Sequence, residues 1–204
     1  MKVYRYTQLR YLQDALSYGI YASDITEVND VYESKDIHYP EQYRICCMCK
    51  GYQQMLMWAH YGRHRECCVE YEVPDEWAGK EIREIDYIKK PVSRKNKNAK
   101  DVEESFFTKG NEWKYEKECR AVYHAKNANE TVWRVKGEKV FLRATPTRVI
   151  FGVAAEHNER YQDALRLLKK FNERAAVKVE KMRIEDKRYR LKKDEQYDYR
   201  LECA

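Results

Sequence analysis

The period of the apolar positions changes several times along the chain, and each change marks an element. "KVYRYT" alternates and opens as a short strand. Leu9, Leu12 and Leu16 then repeat at helical spacing within "QLRYLQDALSY". Thr7 is expected to cap that helix and Gly19 to stop it. "IYAS", Ile20 to Ser23, reads as a second short strand, "DITEVNDVYE" as a polar turn region and "YRICCMC" as a buried strand. The helix "QQMLMWAHY" is expected to end at Gly62. "ECCVEYEV" then alternates as a strand, with Val69, Tyr71 and Val73 on one face.

In the second half, "EWKYEKECRAVY" (Glu112 to Tyr123) reads as a central strand and "VWRVKGEKVFL" as a hairpin around Gly137. "RVIFG" is a buried strand. The helix "ERYQDALRLLKKF" has Tyr161, Leu165, Leu168 and Phe171 on its apolar side, and "AVKVEKMRI" and "KRYRL" close the chain as strands. Strands outnumber helices and most look antiparallel, so the expected class is α+β, with mostly antiparallel sheet and a few short helices. No internal repeat breaks residues 1–204, which read as a single domain with its C-terminal strands inside 172–204.

Charge changes this picture in one place. Forty basic and 34 acidic residues leave a net charge of +6, too balanced to announce nucleic acid by itself. The excess is local: "KKPVSRKNKNAK" (Lys89 to Lys100) holds six basic residues and no acid, and 89–104 is expected to be a solvated, mobile loop. Eighteen tyrosines suit half-buried sheets and stacking sites alike. No apolar stretch approaches the ~20 residues of a membrane span, and "MKVYRYTQLRYL" lacks the apolar core of a signal peptide. The seven cysteines are odd in number and several are adjacent, which also fits a cytoplasmic protein with no membrane partner.

Cys46 and Cys49 form a C-x-x-C, with Cys67 and Cys68 following at roughly zinc-ribbon distance. Neighbouring residues of a strand point to opposite faces, so Cys67 and Cys68 suit core packing better than metal, and no metal site is expected. "MWAHYG" places Trp58, His60 and Tyr61 on the last turn of a short helix, where His60 suits the negative helix end. No nucleophile pattern surrounds it, and none of the seven glycines falls in a phosphate-loop spacing. What remains is the row Glu116, Glu118 and Arg120. On a strand, alternate side chains share a face about 7 Å apart. The row is either a buried arginine–carboxylate network, as buried charge demands, or one glutamate held beside a ligand while the other is tied to the arginine.

Several blocks resemble the bacterial and phage domain-of-unknown-function family numbered 2971. "IYAS" stands where that family has a short serine-bearing strand, and "VNDVYE" (with Asn29, Asp30 and Glu33) where it has an Asn-Asp-Pro-x-Glu turn. "MWAHYG", "EYEV", "IDYIKKP", "TKGNEWKYEKECRAVY" and "RVIFGVAAEHNERY" follow in family order. The chain departs from the pattern at Val28, Val31, Cys49 and Glu66, which replace a Phe, a Pro, a Ser and a Gly. The family layout is similar to the ADP-ribosyltransferase fold, a β-rich core split into two sheets. That resemblance implies Arg5 or Tyr6 as dinucleotide holders, Tyr21 and Ser23 as the nicotinamide pocket, and Glu118 or Glu116 as the directing acid. His60, Tyr61 and Arg120 are expected to line the same cleft.

The function so implied is an NAD-consuming transferase or glycohydrolase, a bacterial or phage conflict effector that takes NAD as substrate and a protein or nucleic acid as acceptor. Cleaving nicotinamide from ribose passes through an oxocarbenium-like centre, which a carboxylate stabilises. Arg5 suits the pyrophosphate, and Tyr6 or Tyr21 suits stacking on the nicotinamide. Two alternatives use the same residues differently. One is a non-catalytic nucleotide- or nucleic-acid-binding module built on the basic loop and the tyrosines. The other is a magnesium-dependent nuclease using Asp30, Glu116 and Glu118.

Overall fold

The computed structural model describes residues 1–30, 32–33, 39–90, 102–103, 105–188 and 190–202. Secondary structure is α+β, dominated by antiparallel strands with few and short helices. The chain divides into two compact units. One takes Met1, Ile20–Cys49 and Pro74–Arg143; the other takes Lys2–Gly19, Lys50–Val73 and Ala144–Ala204. Strands and helices are numbered along the whole chain.

The second unit is built on β1 (Lys2–Thr7), β4 (Cys67–Glu72), β11 (Thr145–Phe151), β12 (Lys178–Ile184) and β13 (Leu191–Lys193). β4 lies antiparallel between β1 and β11, with Val69 opposite both Arg5 and Val149. β12 joins β11 in parallel, and β13 returns antiparallel at the edge. The parallel step needs a crossover, and α3 (Tyr161–Asn172) supplies it. Every β4 residue from Cys67 to Tyr71 is buried, because both faces of the sheet are covered. On one face the Tyr71 hydroxyl donates to the Ala15 carbonyl of α1 (Leu12–Tyr18) at 3.2 Å. On the other, Tyr6 meets the ring of Trp58 in α2 (Met55–Gly62) edge-on at 5.0 Å.

The first helix differs from expectation. Thr7 is the last residue of β1, a 3-10 turn occupies Leu9–Tyr11, and α1 begins only at Leu12. The orphan N–H of Leu9 donates to the Glu66 carboxylate at 2.7 Å, so a residue far along the chain does the capping. Glu66 therefore has a structural task. The glycine that permits close backbone approach is Gly152: a Cβ there would sit 2.3 Å from the His64 carbonyl oxygen.

The first unit carries β2 (Ile20–Asp24), β3 (Tyr43–Cys49), β5 (Arg83–Glu84), β8 (Glu118–His124), β9 (Trp133–Lys136) and β10 (Lys139–Leu142). Their order is β9-β10-β2-β3-β8-β5, all antiparallel. The expected hairpin is present, with Gly137 at φ +61° in the turn. A separate parallel ribbon pairs β6 (Asp86–Ile88) with β7 (Thr108–Gly110). Ile25, Tyr43, Ile45, Val102 and Phe106 form an apolar cluster beside them.

The stretch from Glu112 to Tyr123 is not one strand. Asn111–Glu116 is a 3-10 turn, and Lys117 takes a left-handed conformation at φ 47° before β8 begins at Glu118. Glu116, Glu118 and Arg120 therefore do not stand in a row on a pleat. The basic loop expected over 89–104 lies, from 91 to 101, outside the described residues.

Candidate functional site

Glu118 and Arg120 lie two apart on β8, so their side chains share a face. Arg120 grips Glu118 bidentately, Nε to Oε1 at 2.7 Å and Nη2 to Oε2 at 2.9 Å, and its Nη1 donates to the Phe106 carbonyl at 2.8 Å. The turn before β8 swings Glu116 inward, where Lys109 of β7 reaches it at 2.6 Å and Glu118 at 3.1 Å. A third carboxylate, Glu33, pairs with Arg120 Nη2 at 2.5 Å. Glu33 sits in a short turn closed by Asp30, whose carbonyl accepts the Glu33 N–H and whose carboxylate accepts the Tyr32 N–H, both at 2.9 Å. The Glu118 N–H donates to the Tyr87 hydroxyl at 2.8 Å, and the Lys109 ammonium lies 4.7 Å from the centre of the Trp113 ring.

This cluster is interior: Arg120 is 1% exposed, Glu33 and Glu116 2%, Glu118 and Lys109 5%. Three carboxylates, Glu33, Glu116 and Glu118, meet two cations, Lys109 and Arg120. Titration follows the geometry. Burial alone would raise the Glu118 carboxyl, but Arg120 and Lys109 outweigh it and hold it at about 2. For Glu33, burial wins over the attraction of Arg120 and Lys109, and its carboxyl is pushed up. Burial also lifts the Tyr87 phenol to about 12.

The sequence-expected residues divide between the two units. Glu116, Glu118 and Arg120 come together in the first unit. Tyr21 and Ser23 also lie in it, on β2: Tyr21 is 41% exposed, with its ring edge-on to Phe141 at 5.8 Å, and Ser23 pairs with Ile45. Arg5, Tyr6, His60 and Tyr61 belong to the second unit, where Tyr6 is buried against Trp58 and His60 is exposed on the last turn of α2. Both oxygens of Glu118 are engaged, by Arg120 and by Lys109. Sequence reasoning missed Lys109, which no spacing marks, and did not assign Glu33 to the site, although the Asn29-Asp30-Glu33 turn was in view.

A second ion cluster, also unforeseen, holds the other unit together. Glu70 of β4 accepts from Tyr4 at 2.8 Å, Thr147 at 2.9 Å and Lys2 at 3.1 Å, and it pairs with Arg148. Arg148 also reaches Glu180 of β12 at 2.9 Å, so one guanidinium ties β4, β11 and β12. Burial would raise the Glu70 carboxyl, but these hydrogen bonds outweigh it and bring it to about 2.

Cys46, Cys49, Cys67 and Cys68 are buried, the first pair in one unit and the second in the other. Cys46 and Cys67 direct their thiols at the carbonyls of Ile20 and Thr7, as small core residues do. Among the described residues no group of three or more His, Cys, Asp or Glu is arranged to hold a metal ion, and no helix is long and apolar enough to cross a membrane. Glu116 and Glu118 instead converge on the Lys109 ammonium. Lys95, Lys97 and Lys100 of the basic loop lie outside the described residues. Comparison with family models, with curated proteins and with solved structures finds no match to this chain.

Proposed function

We propose that the chain is an NAD-consuming enzyme of ADP-ribosyltransferase type, acting in bacterial or phage conflict, with the carboxylate cluster of the first unit as its chemical centre. One observation carries the reading: three carboxylates gathered in the interior around the same two cations. Glu33, Glu116 and Glu118 are each almost sealed from solvent and converge on Lys109 and Arg120. A carboxylate held at low dielectric attracts a cation far more strongly than it would in water. The nicotinamide–ribose bond is cationic and becomes oxocarbenium-like as it breaks, which is the kind of charge such a cluster stabilises. Carboxyls driven in opposite directions, Glu118 down and Glu33 up, are also the pattern of a site that divides two roles between two acids.

In this reading Arg120 orients Glu118, and a ribose hydroxyl replaces Lys109 at Glu118 Oε2. That 3.1 Å contact is the longer of the two that Lys109 makes, so it is the one to yield. The test is release of nicotinamide from NAD by the purified protein. Glu118→Gln should abolish release while circular dichroism shows the fold retained. A folded wild-type protein that leaves NAD intact overturns the reading.

The burial of the same cluster favours a second reading, a non-catalytic nucleotide- or nucleic-acid-binding module in which the ions lock the fold. With Arg120 at 1% and Glu116 at 2% exposure, every charge is paired and covered. On that reading Glu118→Gln costs stability alone, and no NAD is consumed by either protein.

A further inference from the structure

Between positions 166 and 193 the chain carries twelve Lys or Arg and four Asp or Glu, a net +8 against +6 for all 204 residues, so the remainder is net −2. The stretch is the end of α3 together with β12 and β13. Four of the twelve are tied to carboxylates: Arg166 to Asp163, Lys181 to Glu156, Arg190 to Glu185, and Lys193 to Glu180 and Glu195. The other eight form no ion pair with any described residue.

Two of these eight stand directly opposite one another. Arg183 of β12 is in register with Lys192 of β13, and both are half-buried. Like charges facing across strands destabilise a sheet unless an anion lies between them. Their face is the one α3 covers: Lys181, two residues before Arg183, pairs with Phe151, whose ring meets Tyr161 of α3 edge-on at 5.1 Å. Lys169 and Lys170 are exposed in the last turn of that helix, and Arg174 and Lys178 are exposed just beyond it. Glu185, which feels Lys192, Glu156, which pairs with Lys181, and Asp194, whose N–H donates to the Lys181 carbonyl at 2.8 Å, are acidic groups near this face.

We propose that this surface binds the backbone phosphates of duplex nucleic acid. A single strand held without sequence preference needs rings to stack its bases on, and none of the aromatic residues described between 166 and 193 is exposed. Lipid headgroups also carry phosphate, but a helix lying on a bilayer must offer its apolar face. That face of α3, with Tyr161, Leu165 and Leu168, is buried in the unit. Lysine and arginine contacts to phosphate fix position without reading bases, so binding is independent of sequence and sensitive to salt. The inference does not rest on NAD chemistry and is tested without NAD.

The experiment is anisotropy of a short labelled duplex titrated with the full chain between ~50 and ~200 mM salt. The variant carrying Lys169→Gln, Lys170→Gln, Arg183→Gln and Lys192→Gln should lower the slope of log affinity against log salt by about 3 to 4 and weaken binding at ~50 mM at least ~10-fold. A charge-matched control in the other unit, with Lys80, Lys114, Lys117 and Lys126 changed to Gln, should change the slope by less than about 1. If the fourfold variant is unstable, Lys169→Gln and Lys170→Gln, both at exposed positions, should each lower the slope by about 1. The proposal is overturned by absence of binding at ~50 mM, by equal loss in the control, by an unchanged slope, or by tighter binding to the single strand than to the duplex. It is equally overturned if neutralising Lys95, Lys97 and Lys100 alone removes the whole slope.

Discussion

Arg120 holds both oxygens of Glu118, its neighbour but one on β8, at 2.7 and 2.9 Å, and a second buried cation, Lys109, approaches the same carboxylate at 3.1 Å. Removing one partner from such a group leaves a charge stranded in the interior. Arg120→Met should cost about 3–5 kcal/mol, because Glu118 and Glu33 both lose their principal cation. The check is the denaturant midpoint at neutral pH, where a change within the error of the wild type would show that the cluster is not a lock.

Glu33 and Glu118 should respond oppositely to neutralisation. The Glu33 carboxyl is raised by burial, so its stabilising share is fully present below the ordinary value of 4.5 and is lost as pH rises through the folded value. At neutral pH Glu33→Gln is therefore expected to leave stability within about 1 kcal/mol of wild type, or to raise it, whereas Glu118→Gln costs about 3–5 kcal/mol. Parallel urea melts of the two variants decide the matter, and equal losses would contradict the opposite shifts of the two carboxyls.

Glu70 predicts an acid transition. Its carboxyl is lowered from 4.5 to about 2 because hydrogen bonds from Arg148, Tyr4, Thr147 and Lys2 outweigh burial. A depressed carboxyl stabilises fully above its unfolded value and loses that share as pH falls through the folded one. Wild-type stability should therefore drop between about pH 4.5 and about pH 2, and the drop should be shallower in Glu70→Gln. Melting temperatures across that window provide the measurement.

Gly152 is the residue of closest backbone approach. A side-chain Cβ there would meet the His64 carbonyl oxygen at 2.3 Å and the carbonyl carbon at 2.7 Å, main-chain atoms that cannot swing aside. Gly152 also donates its N–H to the Glu66 carbonyl at 2.9 Å, so its position is fixed from both ends. Gly152→Ala should destabilise by about 1–3 kcal/mol. Gly51→Ala, whose Cβ would find its nearest atom at 3.5 Å in the side chain of Gln54, should change stability far less.

Trp58 is fully buried, with its indole N–H given to the Tyr52 carbonyl at 2.7 Å and its ring against Tyr6. Trp58→Ala should cost about 3–5 kcal/mol through the cavity it leaves. Trp58→Phe should recover part of that while leaving the Tyr52 carbonyl without its donor. Thermal melts of the two variants order the effects.

Elements with a strong period were legible in the sequence. The alternation of "VWRVKGEKVFL", the helical spacing of Tyr161, Leu165 and Leu168, and the turn glycines Gly19 and Gly137 all lie where periodicity puts them. The β8 region differs from expectation at its start because a left-handed Lys117 is invisible to a pattern of apolar positions, and the apparent strand from Glu112 to Lys117 is instead a turn. Lys109 and Arg148 were missed for a different reason. Each is a long cation whose partner lies on another strand, and a single sequence records the residue but not the partner. The helix cap behaved likewise: Thr7 had the right chemistry nearby, but Glu66 reached the Leu9 N–H from 57 positions away.

Neither compact unit is a continuous length of polypeptide, since Ile20–Cys49 and Pro74–Arg143 are interleaved with Lys2–Gly19, Lys50–Val73 and Ala144–Ala204. No single excision isolates either one. During translation β1 and β4 emerge long before β11, so the nascent chain carries Glu70 without Arg148 and β4 with one bare edge until the last third is made. Assembly is thereby deferred to the end of synthesis, and a ribosome stalled before Arg148 would present an aggregation-prone, acid-bearing ribbon.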